Sequence, residues 1–131
     1  MPKLTDIIDN PHANGVYRAA NCTGLAGLIH IDAATHADKD ALLEAIGQAL
    51  QFPDYYGMNW DALEECLFDL SWWTGHVAVC IDHAEALVPE VLTTLVDIWT
   101  EAAAAWAEAG RGCVLILGGS VGLDGLPEIS T

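Results

Sequence analysis

The chain has 131 residues, enough for one domain, and 53 % of them are hydrophobic, which excludes a disordered acidic chain. Nineteen acidic side chains against four basic ones give a formal charge of −15. A field of that sign repels nucleic acid and anionic membrane and attracts basic proteins.

The charge is unevenly placed. The basic residues are Lys3, Arg18, Lys39 and Arg111, so the stretch from Asp40 to Gly110 holds none, yet it carries 13 of the 19 acids. Acidity can also serve solubility alone, and by charge the two readings stand level. No run approaches the ~18 apolar residues of a spanning helix, and Met1 to Asn10 lacks the apolar core of a signal peptide. The expected location is the cytoplasm. Cys22, Cys66, Cys80 and Cys113 are far apart, and in a reducing compartment they read as small core residues. Neither they nor the five histidines show paired ligand spacing, so no metal and no cofactor is expected.

In chain order, Gly15 to Ala20 is a short candidate strand and Gly27 to Ile31 a better one. Asp38 or Thr35 can cap a helix running to about Leu50, which Phe52-Pro53 ends. A loop over Pro53 to Met58 carries Tyr55, Tyr56 and Gly57. Asn59 reads as the N-cap of a helix over Trp60 to Leu70, with Leu63, Cys66, Leu67 and Leu70 turned inward. His76 to Ile81 and Cys113 to Leu117 are almost wholly apolar, as buried strands are. Between them a helix is expected from Pro89 to Ala109, closed by Gly110 in a left-handed cap. The Gly-rich remainder, 118–131, reads as a loose tail. Helices between buried strands imply an α/β fold with a parallel sheet and right-handed crossovers. The whole of 1–131 is expected to form one domain.

The helix after Asn59 carries the functional signal. Asp61, Glu65 and Asp69 follow at i, i+4 and i+8 along one face, with Glu64 beside them. Like charges at that spacing oppose the helix by roughly 0.2–0.5 kcal/mol per pair. The helix dipole excuses Asp61 in the first turn but not the later two. A solvated face is the bland explanation. The adjoining tyrosines favour a protein-binding surface, since they offer apolar area with a polar tip and little rotamer entropy to lose. Core plugging would account equally for one of those rings. Acid–base catalysis is disfavoured, because an exposed carboxyl lacks the burial that raises a catalytic pKa. With no nucleophile constellation and no phosphate loop, the chain reads as no enzyme.

The run from Phe52 to Leu67 resembles the signature of the barstar family, intracellular inhibitors of bacterial ribonucleases such as barnase. Its pattern, P-x-Y-Y-G-x-N-x-D-A-L-x-D-C-L, is matched here at every fixed position but one, Glu65 standing for the last Asp. The likeness covers about Leu28 to Leu117, leaving an N-terminal extension through Ala26 and the tail as additions. It implies a three-stranded parallel sheet packed with helices, here with a short additional N-terminal strand.

The same resemblance implies an inhibitor that plugs the cationic active site of a secreted or toxic ribonuclease, with no direct contact to nucleic acid or membrane. Tyr55 and Asp61 fall on contact residues of the family, Gly57 and Asn59 on positions shaping the loop, and Glu65 on its dominant aspartate. Glu101 aligns with an interface glutamate of the later helix. Tyr56, Trp60, Glu64 and Asp69 complete the expected partner-binding set. Glu64 and Leu70 replace family tryptophans, which points to a partner other than barnase. The alternative is a barstar-fold interaction module for a basic partner that is not a nuclease.

Overall fold

The computed structural model describes residues 3–8, 10–20, 22, 27–53, 57, 59–69, 73–119 and 125–129. Its elements in chain order are α1 (Leu4–Ile7), β1 (Gly15–Ala19), β2 (Ile29–Asp32), α2 (Lys39–Ala49), α3 (Trp60–Asp69), β3 (Val77–Asp82), α4 (Pro89–Glu108) and β4 (Cys113–Gly118). Short 3₁₀ turns at Pro11–Ala13 and Ala84–Ala86 complete them.

The two apolar runs become the central strands. β3 and β4 pair in parallel with Val79 opposite Leu115 and Ile81 opposite Leu117, while β2 flanks β3 with Ile31 opposite Ile81. The sheet has four strands in the order β1-β4-β3-β2, which corrects the expected three. The additional N-terminal strand does not stand apart. It pairs along β4 from Gly15–Val114 to Ala19–Gly118, satisfying the backbone groups that β4 would otherwise leave bare.

Because β2, β3 and β4 are laid down side by side in sequence order, right-handed crossovers put all their helices on one face. The core follows this. Val79, Ile81, Leu115 and Leu117 pack with Leu42, Leu43 and Ile46 of α2, Leu63 and Leu67 of α3, and Leu95, Trp99 and Trp106 of α4. Asp38 is the N-cap of α2, its carboxylate accepting from Ala41 N–H at 2.8 Å. Pro89 opens α4, and Gly110 follows it at φ +75°, the left-handed conformation expected there.

The intervening strand residues face the other way, as a period of two requires. Cys80, Val114 and Ile116 form a second cluster with Leu4 and Ile7 of α1, Ala19, Cys22 and Ile129. Two expectations are corrected on this face. A loose tail was expected over 118–131; of it residues 125–129 are described and dock, since Arg18 N–H donates to Pro127 C=O and Ile129 N–H to Arg18 C=O, both at 2.9 Å, and Ile129 is 2 % exposed. Nor are all four cysteines free, for Cys22 and Cys80 form a disulfide across 58 residues of sequence. Cys66 and Cys113 remain thiols, and burial pushes Cys113 up to about 12.

Candidate partner-binding face

Helix α3 is anchored at both ends. The Asn59 side chain accepts from Ala62 N–H at 2.8 Å, closing the first turn as an N-cap. At the other end the indole N–H of Trp106 donates to Leu67 C=O at 3.0 Å, meeting one of the carbonyls a helix terminus leaves without a partner. Leu63, Cys66 and Leu67 are buried beneath the helix, the two leucines each stabilising it by about 1.5–3 kcal/mol if fully removed from water. The helix is therefore held by its apolar side and its ends, which leaves the carboxylate side unneeded for packing.

On that outer side Asp61, Glu65 and Asp69 are exposed and Glu64 is half-buried. Among the described residues no ion pair involves any of the four; the pairs present are His30 with Asp82 and His83 with Asp32. Arg111, which shares a hollow with Phe68 and Asp69, points its hydrogen bonds elsewhere. Its guanidinium donates to Trp73 C=O at 2.8 Å and Gly75 C=O at 3.0 Å and lies 4.1 Å from the centre of the Trp106 ring. With four carboxylates and no ion pair to them among the described residues, the ridge projects a negative field, as an interface with a cationic site needs.

Asp61, Glu64, Glu65 and Phe68 line a concavity of about 330 Å³. Phe68 is 39 % exposed, a large apolar ring among carboxylates, and sequence reasoning passed over it. The signal was there, since Phe68 follows Glu64 by four and Glu65 by three and so must share their face. A second hollow of about 140 Å³ joins Phe68 and Asp69 to Ala105, Ala109 and Arg111.

The other expected residues are placed as follows. Trp60 is half-buried and packs against the core, so much of its ring supports the helix. Gly57 is exposed, and a Cβ there would stand 3.3 Å from the Asn59 amide nitrogen, crowding the cap. Glu101 is exposed on α4 one turn before Ala105 and lines neither hollow among the described residues. Tyr55 and Tyr56 lie outside the described residues. Among the described residues the group whose ligand atoms could hold a metal is Cys22, Cys80 and Asp82, away from this helix.

A family model described as barstar, the barnase inhibitor, matches residues 26–118. The chain belongs to the barstar family. No curated protein and no solved structure matches it. The barstar match takes in β2, β3 and β4, the three strands the resemblance implied, and leaves out β1, α1 and the tail. The expected fourth element is therefore an addition to the barstar core, joined to its β4 edge. Barstar-family proteins are inhibitors and not enzymes, and a ribonuclease is the kind of partner the family binds.

Proposed function

We propose that this barstar-family protein, working as one domain in the cytoplasm, binds and blocks the cationic active site of a bacterial ribonuclease or nuclease toxin, as an immunity protein. The observation that carries the reading is the unpaired carboxylate ridge on α3, set around a concavity and backed by a helix that does not need those charges to fold. A ribonuclease site is lined with cations that hold phosphates. Carboxylates presented in their place stand in for the substrate's anions and gain charge-assisted hydrogen bonds. Glu65 reaches one methylene farther than the family aspartate, so the matching cation lies deeper in the partner's pocket. Tyr55, Tyr56, Gly57, Asn59, Trp60, Asp61, Glu64, Glu65, Asp69 and Glu101 form the proposed contact set.

The experiment is an RNA-cleavage assay with a basic, secreted ribonuclease encoded beside this protein, titrated with the purified chain. Stoichiometric inhibition is expected, with an association rate that falls steeply as salt rises from low to physiological strength and a dissociation rate that changes less. Cleavage unaffected by excess protein would refute the reading for that nuclease. Inhibition with a salt-indifferent on-rate would move the interface off the acidic ridge.

A further inference from the structure

We propose that Cys22, Cys80 and Asp82 form a zinc site when the Cys22–Cys80 disulfide is reduced, with His30 orienting the Asp82 carboxylate. The four side chains come from three separate parts of the chain, which is why no spacing in the sequence announces them. Cys80 and Asp82 are two residues apart on β3 and point to the same side of the sheet. His30 is the cross-strand partner of Cys80 on β2, and its Nδ1 lies 3.0 Å from Asp82 Oδ2. Cys22 arrives from beyond β1 across Gly118. A Cβ at Gly118 would stand 2.8 Å from the Cys22 sulfur, so the absent side chain opens the notch that seats it. One ligand atom each from Cys22, Cys80 and Asp82 then lies within 4.8 Å of the other two.

Two sulfurs and a carboxylate are donors that zinc takes, and a water completes a four-coordinate site of that kind. The geometry has room for it. The two Cα atoms are 6.6 Å apart, near the wide end of the roughly 4.4–6.8 Å that disulfides span. Around a tetrahedral zinc with bonds of ~2.3 Å, the two sulfurs need only separate to ~3.8 Å. Both cysteines are fully buried, whereas His30 and Asp82 are 40 % and 25 % exposed and give the ion a way in. The neighbouring carboxylate, Asp32, is taken by His83 at 2.8 Å, which leaves Asp82 to His30 and the metal. Cys66 and Cys113 are not members of the group.

A disulfide does not persist in a reducing cytoplasm, where cysteines gathered with His and Asp serve more often as ligands. A dithiol breaks the Cys22–Cys80 bond and is itself oxidised to a disulfide, its two protons passing to the freed sulfurs. Zn²⁺ then displaces both protons to solvent as the thiolates bind. The metal replaces one cross-link by another at the same place and keeps the second face of the sheet closed.

The test uses the full-length protein, reduced with a water-soluble phosphine (oxidised to its oxide, with water supplying the oxygen), desalted without oxygen and offered zinc or cobalt. The reduced parent should retain one zinc per chain, show a thiolate-to-cobalt charge-transfer band, and melt at higher temperature with zinc than without. Cys22→Ser and Cys80→Ser should lose the band. His30→Ala, which removes the partner that orients Asp82, should weaken zinc roughly 10–100-fold, and Asp82→Asn, which removes a ligand, should weaken it more. Asp82→Asn keeps both cysteines, so its oxidised form also reports whether the fold survives the change. The oxidised parent should take up no zinc at this site. A reduced parent that holds no metal would overturn the proposal, as would uptake undiminished in Cys22→Ser, which would assign the ion to the acidic surface.

Discussion

On one face of the sheet three amphipathic helices cover Val79, Ile81, Leu115 and Leu117; on the other a four-residue helix, Cys22 and a C-terminal segment cover Cys80, Val114 and Ile116. The first face coincides with the family match, while α1, β1, Cys22 and the tail fall outside it. The difference is one of means. Helices α2, α3 and α4 bury continuous apolar stripes, so their stability is spread over many side chains. The second layer depends on a few long-range contacts, each of which matters singly. The proposed binding face should therefore tolerate changes without unfolding, and the second layer should tolerate weakening without loss of the proposed binding.

The largest effect expected from that contrast is on binding. Asp61→Ala and Glu65→Ala should weaken nuclease inhibition at least ~30-fold, because partner cations would be left buried and unpaired at about 2 kcal/mol or more each. Glu65→Ala should melt at or above the parent, since it relieves like-charge repulsion along α3, while Asp61→Ala also loses a favourable first-turn charge and should melt within a few degrees of it. Asp97→Ala, exposed on α4, is the control and should inhibit as the parent does. If both α3 variants inhibit normally, the binding surface lies elsewhere and the family match describes the fold alone.

A change in the N-terminal extension, where it meets α4 and β4, should show the opposite pattern. The Asn14 side chain donates to Ala103 C=O at 3.1 Å and Arg111 C=O at 2.8 Å, and accepts from Cys113 N–H at 2.8 Å. One amide thus ties the segment before β1 to α4 and to the start of β4. Asn14→Ala removes all three bonds in a part-buried place and should cost about 2–3 kcal/mol, lowering the melting temperature by roughly 7–11 °C. Inhibition measured well below that temperature should be unchanged. Loss of inhibition in proportion to stability would mean the extension and the proposed binding face are coupled, and the contrast between them would fail.

The same contrast decides what could be read from the sequence. Asp38 before α2, Asn59 before α3, Pro89 and Gly110 around α4 and the apolar strands are local signals, and each element lies within a residue or two of its expected bounds. Periodicity also put Leu63, Cys66 and Leu67 inside and the carboxylates outside. Asn14, the Cys22–Cys80 pair and Ile129 left no such trace, because their partners lie 58 to 111 residues away or on another strand. For residues 125–129 composition pointed away from the docking that the structure shows. Gly and Pro mark irregular backbone, but irregular backbone can still dock when one isoleucine finds a hole. Within the site, charge spacing made the ridge legible, while Phe68 was missed because a lone aromatic on a helix reads as core.

Phe68 gives the smallest expected effect and the finest test of where the binding face ends. Its ring lines both hollows and is 39 % exposed, so part of its area rests on the protein and part is offered outward. If a partner covers the ring, burying it should contribute about 1 kcal/mol through apolar area and, should a guanidinium stack on it, a cation–π contact. Phe68→Ala should then weaken inhibition about 5-fold by the ~1.4 kcal/mol-per-tenfold rule, far less than loss of Glu65. Phe68→Tyr should restore most of it. Stability should change little, because Leu63 and Leu67 hold α3 down from the other side. Combining Phe68→Ala with Glu65→Ala separates two geometries. Residues covered by the same partner group should lose less together than the sum of their single effects, whereas strict additivity would put Phe68 on a different part of the partner from the cation that Glu65 meets.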